Sequence, residues 1–267
     1  MASLRKTPWR WHERIAHKCR YVATRSRITA VTQLKPDSPR SLNARYQDLD
    51  ADRRRTWPPE ALATYVNQRA TLRDAHGTTP HVEIGDTLET AELSGRNGER
   101  ITLDELTASG RAVLVFFRFA GCPACNVALP YYRDTLWPAL AEAGIPLVAI
   151  SPQPFPALAE IAATHALPFP VLSDPGLAFS RRLGITYLFD DASRAAAIAK
   201  GGRPQALNGT DDWELPKPAI LIIDRSRTVL FAAISPDWME RTESGTVLDA
   251  LGLPAKSADP EARAHAA

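Results

Sequence analysis

The sequence predicts an α/β protein with a mixed central sheet and helices on both faces. The first observation is a run of six apolar residues, 112–117, which has the length of a buried strand and leads into a helical stretch at 126–143. The second is that strands and helices continue to alternate along the chain. The third is a pair of apolar runs, 219–224 and 228–234, separated by a short turn. Alternation predicts parallel strands joined by helices, and the short turn predicts an antiparallel hairpin.

The beginning of the chain is set apart by its charge. Residues 1–35 carry nine lysines and arginines against one acidic residue, whereas the whole chain has a net charge of +2. We expect residues 1–36 to be a disordered leader. Their composition also fits an organelle transit peptide or an over-extended translation start. The rest of the chain is mildly acidic, so we expect no nucleic-acid partner.

A helical segment at 37–80 is expected to precede the main domain, which we place at 81–253. Pro58 and Pro59 followed by Glu60 are typical of the start of a helix. We interpret this segment as an appendage of the domain and not as a domain of its own.

Local signals predict the remaining elements. Asn97-Gly98 predicts a hairpin turn between two short strands, and Gly184 is expected to end a helix that begins at residue 177. Residues 187–216, rich in Gly, Asp and Ala, form an expected insertion. The other expected elements are strands 88–93 and 100–103, a short helix from 103, strand 146–151, helix 157–165, strand 169–174, helix 245–251 and a disordered tail at 254–267.

The segment Gly121-Cys122-Pro123-Ala124-Cys125 joins the first buried strand to the helix after it. A thiol there lies beside unpaired N–H groups and the positive end of the helix dipole, which lower its pKa. Two cysteines three residues apart can also close as a disulfide, so we expect a redox-active pair, with Cys122 the more exposed and more acidic thiol. Zinc would need further ligands at short spacing, and Cys19 is the only other cysteine, so we expect no metal. Two inert buried thiols are the remaining alternative.

Composition excludes several classes of protein. Hydrophobic residues make up 45% of the chain and charged residues 23%, as in ordinary globular proteins. No apolar run approaches the roughly 18 residues that span a membrane, and the N-terminus lacks the apolar stretch of a secretory signal. Three cysteines are too few for a secreted disulfide scaffold. We expect a cytoplasmic protein with no membrane partner and no bound cofactor.

Four segments of the chain carry motifs that are specific when taken together: 115–126 around the CxxC pair, 147–153, 169–176 and 213–219. Together they resemble the peroxiredoxin-like proteins of the alkyl hydroperoxide reductase / thiol-specific antioxidant (AhpC/TSA) family, within the thioredoxin-like superfamily. The resemblance implies a thioredoxin-like three-layer α/β/α sandwich with a mixed central sheet. It also implies a helix kink at Pro130 and a cis-proline at Pro218 that packs beside the disulfide.

The sequence departs from the family pattern at two positions. Phe119 stands where typical members have a Thr or Ser that binds the peroxide, and Pro218 stands where they have an Arg. Arg118 could supply the lost cation, although strand alternation could also turn it away from the thiol. We therefore expect Cys122 to react with peroxide more slowly than a typical family member, unless another group supplies the missing contact.

The resemblance implies that Cys122 is the nucleophile and Cys125 the resolving thiol, with supporting roles for Arg118, Phe119, Pro123, Trp213 and Pro218. It implies a peroxide or disulfide substrate, an external reductant that is thioredoxin-like or a low-molecular-weight thiol, and is compatible with a homodimer. We favour a peroxide-reducing antioxidant enzyme. A thioredoxin-like thiol–disulfide oxidoreductase and a non-catalytic redox sensor stay open, because all three use the same two cysteines.

Overall fold

The computed structural model describes residues 40–254, in which a mixed sheet lies between two layers of helices. The strands are β1 (Glu92–Ser94), β2 (Arg100–Thr102), β3 (Ala112–Phe116), β4 (Leu147–Ser151), β5 (Val171–Ser173), β6 (Thr186–Leu188), β7 (Glu214–Pro216), β8 (Ala219–Ile223) and β9 (Val229–Ile234). The helices are α1 (Leu42–Thr56), α2 (Pro59–His76), α3 (Leu103–Leu106), α4 (Pro123–Thr135), α5 (Trp137–Glu142), α6 (Ala157–Thr164), α7 (Ala178–Arg182), α8 (Asp191–Ala199), α9 (Pro204–Asn208) and α10 (Ser244–Leu251). The described part thus confirms the predicted three-layer α/β/α class with a mixed central sheet.

The central sheet has the strand order β2-β1-β5-β4-β3-β8-β9. Strand β3 pairs in parallel with β4 and antiparallel with β8, so Val113 lies opposite Leu147 on one side and Ile222 on the other. Every residue of these three strands is buried. Strands covered on both faces have continuous apolar sequences, which explains why the sequence signal was strongest here.

The two faces of β3 serve different cores. Val113 and Val115 face the core that contains both cysteines, whereas Leu114 and Phe116 face the opposite one. The period-2 alternation of a strand produces this division. The cysteine helix therefore packs on one defined face of the sheet.

The N-terminal helices α1 and α2 lie within the expected helical segment at 37–80 and belong to the same core as the cysteines. Leu42 and Tyr46 of α1, and Tyr65 and Leu72 of α2, are all buried in it. The expected leader at 1–36 and all but the first residue of the expected tail at 254–267 lie outside the described residues. Within the described part, no helix is both long and apolar enough to cross a membrane.

The expected insertion at 187–216 has a structure of its own. Strands β6 and β7 pair antiparallel at its two ends and enclose α8 and α9. Asp190 caps α8 by accepting a hydrogen bond from Ser193 N at 2.7 Å, while its own N–H donates to Gln68 Oε1 of α2 at 2.6 Å. The insertion is thereby anchored to the N-terminal helices.

Two expectations need correction: the single helix after the cysteines and the cis-proline at Pro218. The single helix expected at 126–143 begins at Pro123 and breaks after Thr135, because Pro138, in the first turn of α5, cannot continue the α4 hydrogen-bond ladder. The expected cis-proline at Pro218 is wrong: among the described residues the cis peptide bond is Phe155–Pro156. Lys217 N donates to Ile185 O at 2.6 Å, and Pro218 O accepts from Ser235 N at 2.8 Å, so the chain passes extended from β7 into β8.

Candidate active site

The loop between β3 and α4 positions the cysteine pair. Cys122 is the N-cap of α4: its N–H donates to Phe119 O at 3.1 Å, and its carbonyl accepts the first helical bond from Asn126 N at 3.0 Å. Pro123 occupies the first helical position, where a missing N–H leaves no partner unsatisfied. The pair therefore lies at a helix N-terminus, as the sequence predicted, with Cys125 one turn further on.

Side-chain hydrogen bonds hold this loop in place. The Asn126 amide donates to Ala120 O at 2.6 Å and to Cys122 O at 2.9 Å, and its own oxygen lies 2.6 Å from His165 Nε2. Gln153 accepts from Ala120 N at 2.7 Å and donates to Ala206 O of α9 at 2.9 Å. The thiol geometry is thus fixed before any substrate binds.

Both cysteines are free thiols and are fully buried, with 0% exposure. The expectation that Cys122 would be the exposed thiol is wrong, because helix α1 and the loop 235–243 pack over the start of α4. Tyr46 Oη donates to Ala124 O at 2.9 Å, and Tyr132 Oη donates to Thr242 O at 2.8 Å. We call residues 235–243 the clasp loop.

Two buried arginines contact the thiols. Arg118 Nη1 lies 3.8 Å from Cys122 Sγ, and Arg241 Nη2, from the clasp loop, lies 3.5 Å from Cys125 Sγ. Strand β3 ends at Phe116, so strand alternation does not extend to Arg118 and does not turn it away. Within the described residues neither arginine pairs with a carboxylate; the ionisable groups that face them are the two thiols and the hydroxyls of Tyr46, Tyr132 and Tyr187.

The two thiols have opposite pKa shifts. Burial alone raises the pKa of Cys122, but a hydrogen bond from Cys125 and the charges of Arg118 and Arg241 hold it well below its usual range. For Cys125, burial, the hydrogen bond to Cys122 and the negative charge of the Cys122 thiolate raise the pKa well above its usual range. The reduced site therefore favours ionisation of Cys122 over ionisation of Cys125.

Aromatic rings surround the Arg118 guanidinium. Four ring centroids lie close to its Cζ atom: Trp238 at 4.3 Å, Phe119 at 5.2 Å, Phe189 at 5.5 Å and Tyr187 at 5.8 Å. Cation–π attraction offsets part of the cost of burying this charge. Trp213, predicted to support the site, stacks on Phe189 with ring centroids 5.9 Å apart. The Phe189 ring therefore lies between Trp213 and Arg118.

Pro218 lies beside Arg241. Both residues line a cavity of about 10 Å³, together with Tyr132, which is about the space that one water needs.

Among residues 40–254 there is no group of three or more His, Cys, Asp or Glu side chains that could hold a metal ion.

The model of the AhpC/TSA family matches residues 84–232, which is more than half of the chain. The chain belongs to the AhpC/TSA family. Similar solved structures include peroxidoxin BcpB from Mycobacterium tuberculosis, at 25% identity over 64% of this chain and 96% of that chain, with a TM-score of 0.49. Reduced Prx3 from Vibrio vulnificus, in complex with hydrogen peroxide, has 21% identity over 64% of this chain and 99% of that chain, with a TM-score of 0.49. No curated protein matches the chain significantly.

Membership of the AhpC/TSA family confirms the resemblance read from the four sequence segments and makes this protein an enzyme of the thiol peroxidase class. Several residues around the thiols gave no signal in the sequence, because they come from distant segments without a motif. They are Tyr46, Tyr187, Trp238 and Arg241.

Proposed function

We propose that this AhpC/TSA protein reduces hydroperoxides through a Cys122 sulfenic acid that Cys125 resolves. The observation that carries the proposal is the Arg118 guanidinium, 3.8 Å from Cys122 Sγ and buried with it. The guanidinium favours the thiolate, which is the nucleophilic form of cysteine. It also lies where it can stabilise negative charge that moves from sulfur to a leaving oxygen.

In the first step, the Cys122 thiolate attacks the distal oxygen of ROOH. The S–O bond forms as the O–O bond breaks, so sulfur is oxidised and the peroxide is reduced. The leaving oxygen departs as RO⁻ and takes up the proton that the thiol lost on ionising. The products are the alcohol ROH and a sulfenic acid on Cys122.

In the second step, the Cys125 sulfur attacks the sulfenic sulfur. The S–S bond forms, and hydroxide leaves with the Cys125 proton as water. Burial still opposes ionisation of Cys125, but the negative charge of Cys122 is gone at this stage, and Arg241 lies 3.5 Å from Cys125 Sγ. The raised pKa of Cys125 thus keeps this thiol protonated until Cys122 has been oxidised.

Two equivalents of an external thiol, from a thioredoxin-like protein or a low-molecular-weight thiol, then reduce the disulfide by exchange. We propose a cytoplasmic location, since a reducing compartment supplies that thiol.

Because both cysteines lie on one helical turn of one chain, the catalytic cycle does not require a homodimer.

A thiol–disulfide oxidoreductase is the second candidate, favoured by the CxxC pair at a helix start and by Phe119 in place of a hydroxyl residue. A protein disulfide would have to reach two thiols with 0% exposure, whereas a hydroperoxide needs a much smaller opening. Because of this difference in access, we favour peroxide reduction over disulfide exchange. A redox sensor would share the first oxidation but would not turn over with a thiol donor.

Stopped-flow tryptophan fluorescence during mixing with hydrogen peroxide tests the proposal. Trp238, 4.3 Å from Arg118 Cζ, should report the change of charge at Cys122. We expect a signal with a second-order rate constant well above that of free cysteine, and no signal in Cys122→Ser. A rate no faster than that of free cysteine, together with efficient reduction of insulin disulfides, would support the oxidoreductase instead. Fast oxidation without turnover on a dithiol would support the sensor.

A further inference from the structure

Two buried polar atoms in the region of Arg118 lack a well-formed hydrogen bond among the described residues: Tyr187 Oη and Arg118 Nε. The Tyr187 hydroxyl interacts with the Arg118 guanidinium, which can only donate, so the O–H proton of Tyr187 still has no acceptor. Both side chains are more than nine-tenths buried, at 8% and 6% exposure. A buried donor without an acceptor costs free energy, and native proteins keep few of them. A bound ligand that supplies the missing acceptors would explain two such donors beside a candidate active site.

The two atoms belong to one small region. The Tyr187 ring lies 5.8 Å from Arg118 Cζ and stacks on Trp238 at 6.2 Å. Arg118 Nη1 already faces Cys122 Sγ at 3.8 Å, whereas Nε of the same guanidinium has no well-formed hydrogen bond. Phe119, three residues before Cys122, offers no side-chain donor of its own.

We propose that Tyr187 is a substrate-binding residue, whose hydroxyl donates a hydrogen bond to the bound hydroperoxide while Arg118 Nε donates a second one. The inference rests on the proposed peroxidase function. The two donors hold the O–O bond against the Cys122 thiolate. As that bond breaks, they stabilise the negative charge that develops on the leaving oxygen, which takes up the proton lost by the thiol.

The protonation state of Tyr187 fits this role. Burial raises the pKa of its hydroxyl above the usual range, against the opposing effect of the Arg118 charge. A raised pKa favours the protonated hydroxyl, which is the form that donates a hydrogen bond. Its position also gives the insertion at 187–216 a function, because β6 carries Tyr187 to the Arg118 guanidinium.

Tyr187→Phe tests the proposal, since it keeps the ring that stacks on Trp238 and removes only the hydroxyl. We expect the second-order rate constant for hydrogen peroxide to fall by about ten- to hundredfold, the effect of losing one hydrogen bond to a charged transition state. The rate constant for alkylation of Cys122 by iodoacetamide should stay within about twofold, because that reaction needs the thiolate but no peroxide donor. The melting temperature should fall by no more than a few degrees, because the lost hydroxyl makes no well-formed hydrogen bond and its removal costs only a contact with the Arg118 guanidinium.

Tyr131→Phe is the matched control. It removes a hydroxyl that already donates a hydrogen bond to Glu243, at 2.6 Å, and Tyr131 belongs to the same hydrophobic core as Tyr187. This variant should leave the peroxide rate constant unchanged. A peroxide rate within twofold of wild type in Tyr187→Phe would overturn the assignment and leave the peroxidase proposal intact. An equal loss of peroxide and iodoacetamide reactivity would also overturn it, because the hydroxyl would then act on the thiol. If the wild-type thiol reacts no faster than free cysteine, both proposals fail together.

Discussion

At the scale of single residues, the reduced site is governed by charge balance. Arg118 and Arg241 are buried guanidinium groups that face the thiols and, within residues 40–254, no carboxylate. A buried charge without a counter-ion is expensive. The Cys122 thiolate is the anion nearest to Arg118, so the arginines and the thiolate stabilise one another.

This balance predicts the pH dependence of Cys122. Its folded pKa is depressed, so its reactivity with iodoacetamide should rise with pH and level off below the range in which an ordinary thiol ionises. Arg118→Met should move the midpoint to higher pH, because one of the cations that favour the thiolate is lost. The measurement is the alkylation rate as a function of pH, with thiolate absorbance as an independent readout. Arg182→Met, far from the site on α7 and 41% exposed, should leave the midpoint unchanged.

The order of the thiols predicts the fate of each single cysteine variant. After treatment with hydrogen peroxide, Cys125→Ser should carry one additional oxygen atom on Cys122, because the sulfenic acid has no thiol to condense with. Cys122→Ser should remain unmodified under the same conditions, because the pKa of Cys125 is raised. Mass spectrometry of both variants makes the comparison. An inert Cys125→Ser and an oxidised Cys122→Ser would reverse the two roles.

Some of these residues could be found in the sequence and others could not. Cys122, Cys125 and Pro123 carry a local signal, because a CxxC motif between an apolar run and a helix defines its own context. The direction of Arg118 depends on where β3 ends, which the apolar run 112–117 does not specify. Arg241 and Tyr187 come from segments that meet the thiols only in the folded chain, so no local pattern indicated them.

At the scale of elements, the clasp loop ties the N-terminal helices to the cysteine helix. Asp237 is fully buried and pairs with Arg69 and Arg73 of α2, at 3.1 and 2.6 Å. Glu243, at the other end of the loop, accepts from the first two N–H groups of α1, at 3.0 and 2.9 Å. A carboxylate at a helix N-terminus is favourable. The loop that carries Trp238 and Arg241 is thereby held at both ends by ion pairs and caps.

Asp237→Asn should therefore loosen the cover of the site. Removing the charge leaves Arg73 without the carboxylate it pairs with and leaves Arg69 with Asp50 alone, at 3.3 Å. A loss of about 3 kcal/mol in the free energy of unfolding is expected, as for other broken buried pairs. The Cys122 thiol should also become more accessible to a bulky maleimide. Urea unfolding and maleimide labelling provide the two measurements. Asp48→Asn removes an exposed carboxylate paired with Arg40 and should cost less than about 1 kcal/mol, with labelling unchanged.

Elements differ in how well their sequences predict them. Strands β3, β4 and β8 were found because burial on both faces requires uninterrupted apolar residues. The break between α4 and α5 was missed, because Pro138 stops the helix through a backbone effect that the apolar pattern does not show. The clasp loop has no periodicity, since ion pairs and caps to distant helices determine its conformation.

At the scale of the whole molecule, the proposed active site is assembled from four parts of the chain. The β3–α4 loop supplies the thiols and Arg118, the insertion supplies Tyr187, the clasp loop supplies Arg241, and α1 closes the site through Tyr46. Because these parts also form one core, the redox state of the thiols is coupled to the stability of the fold.

This coupling predicts that the oxidised protein is less stable than the reduced one. A Cys122–Cys125 disulfide closes a loop of only a few residues, which contributes about 2 kcal/mol of loop entropy. Oxidation also removes the thiolate and leaves Arg118 and Arg241 buried without an anion, a loss of about 3–5 kcal/mol for comparable buried pairs. The second effect is larger, so the melting temperature should fall by a few degrees on oxidation. By thermodynamic linkage, the same difference makes the disulfide easy to reduce.

Calorimetry of the fully reduced and fully oxidised protein measures the difference directly. In the double variant Arg118→Met and Arg241→Met the sign should reverse, because the thiolate no longer stabilises two cations and only the loop constraint of the disulfide remains. A wild-type protein that melts at the same or a higher temperature when oxidised would contradict the prediction. It would mean that another group neutralises the two guanidinium charges in the oxidised state.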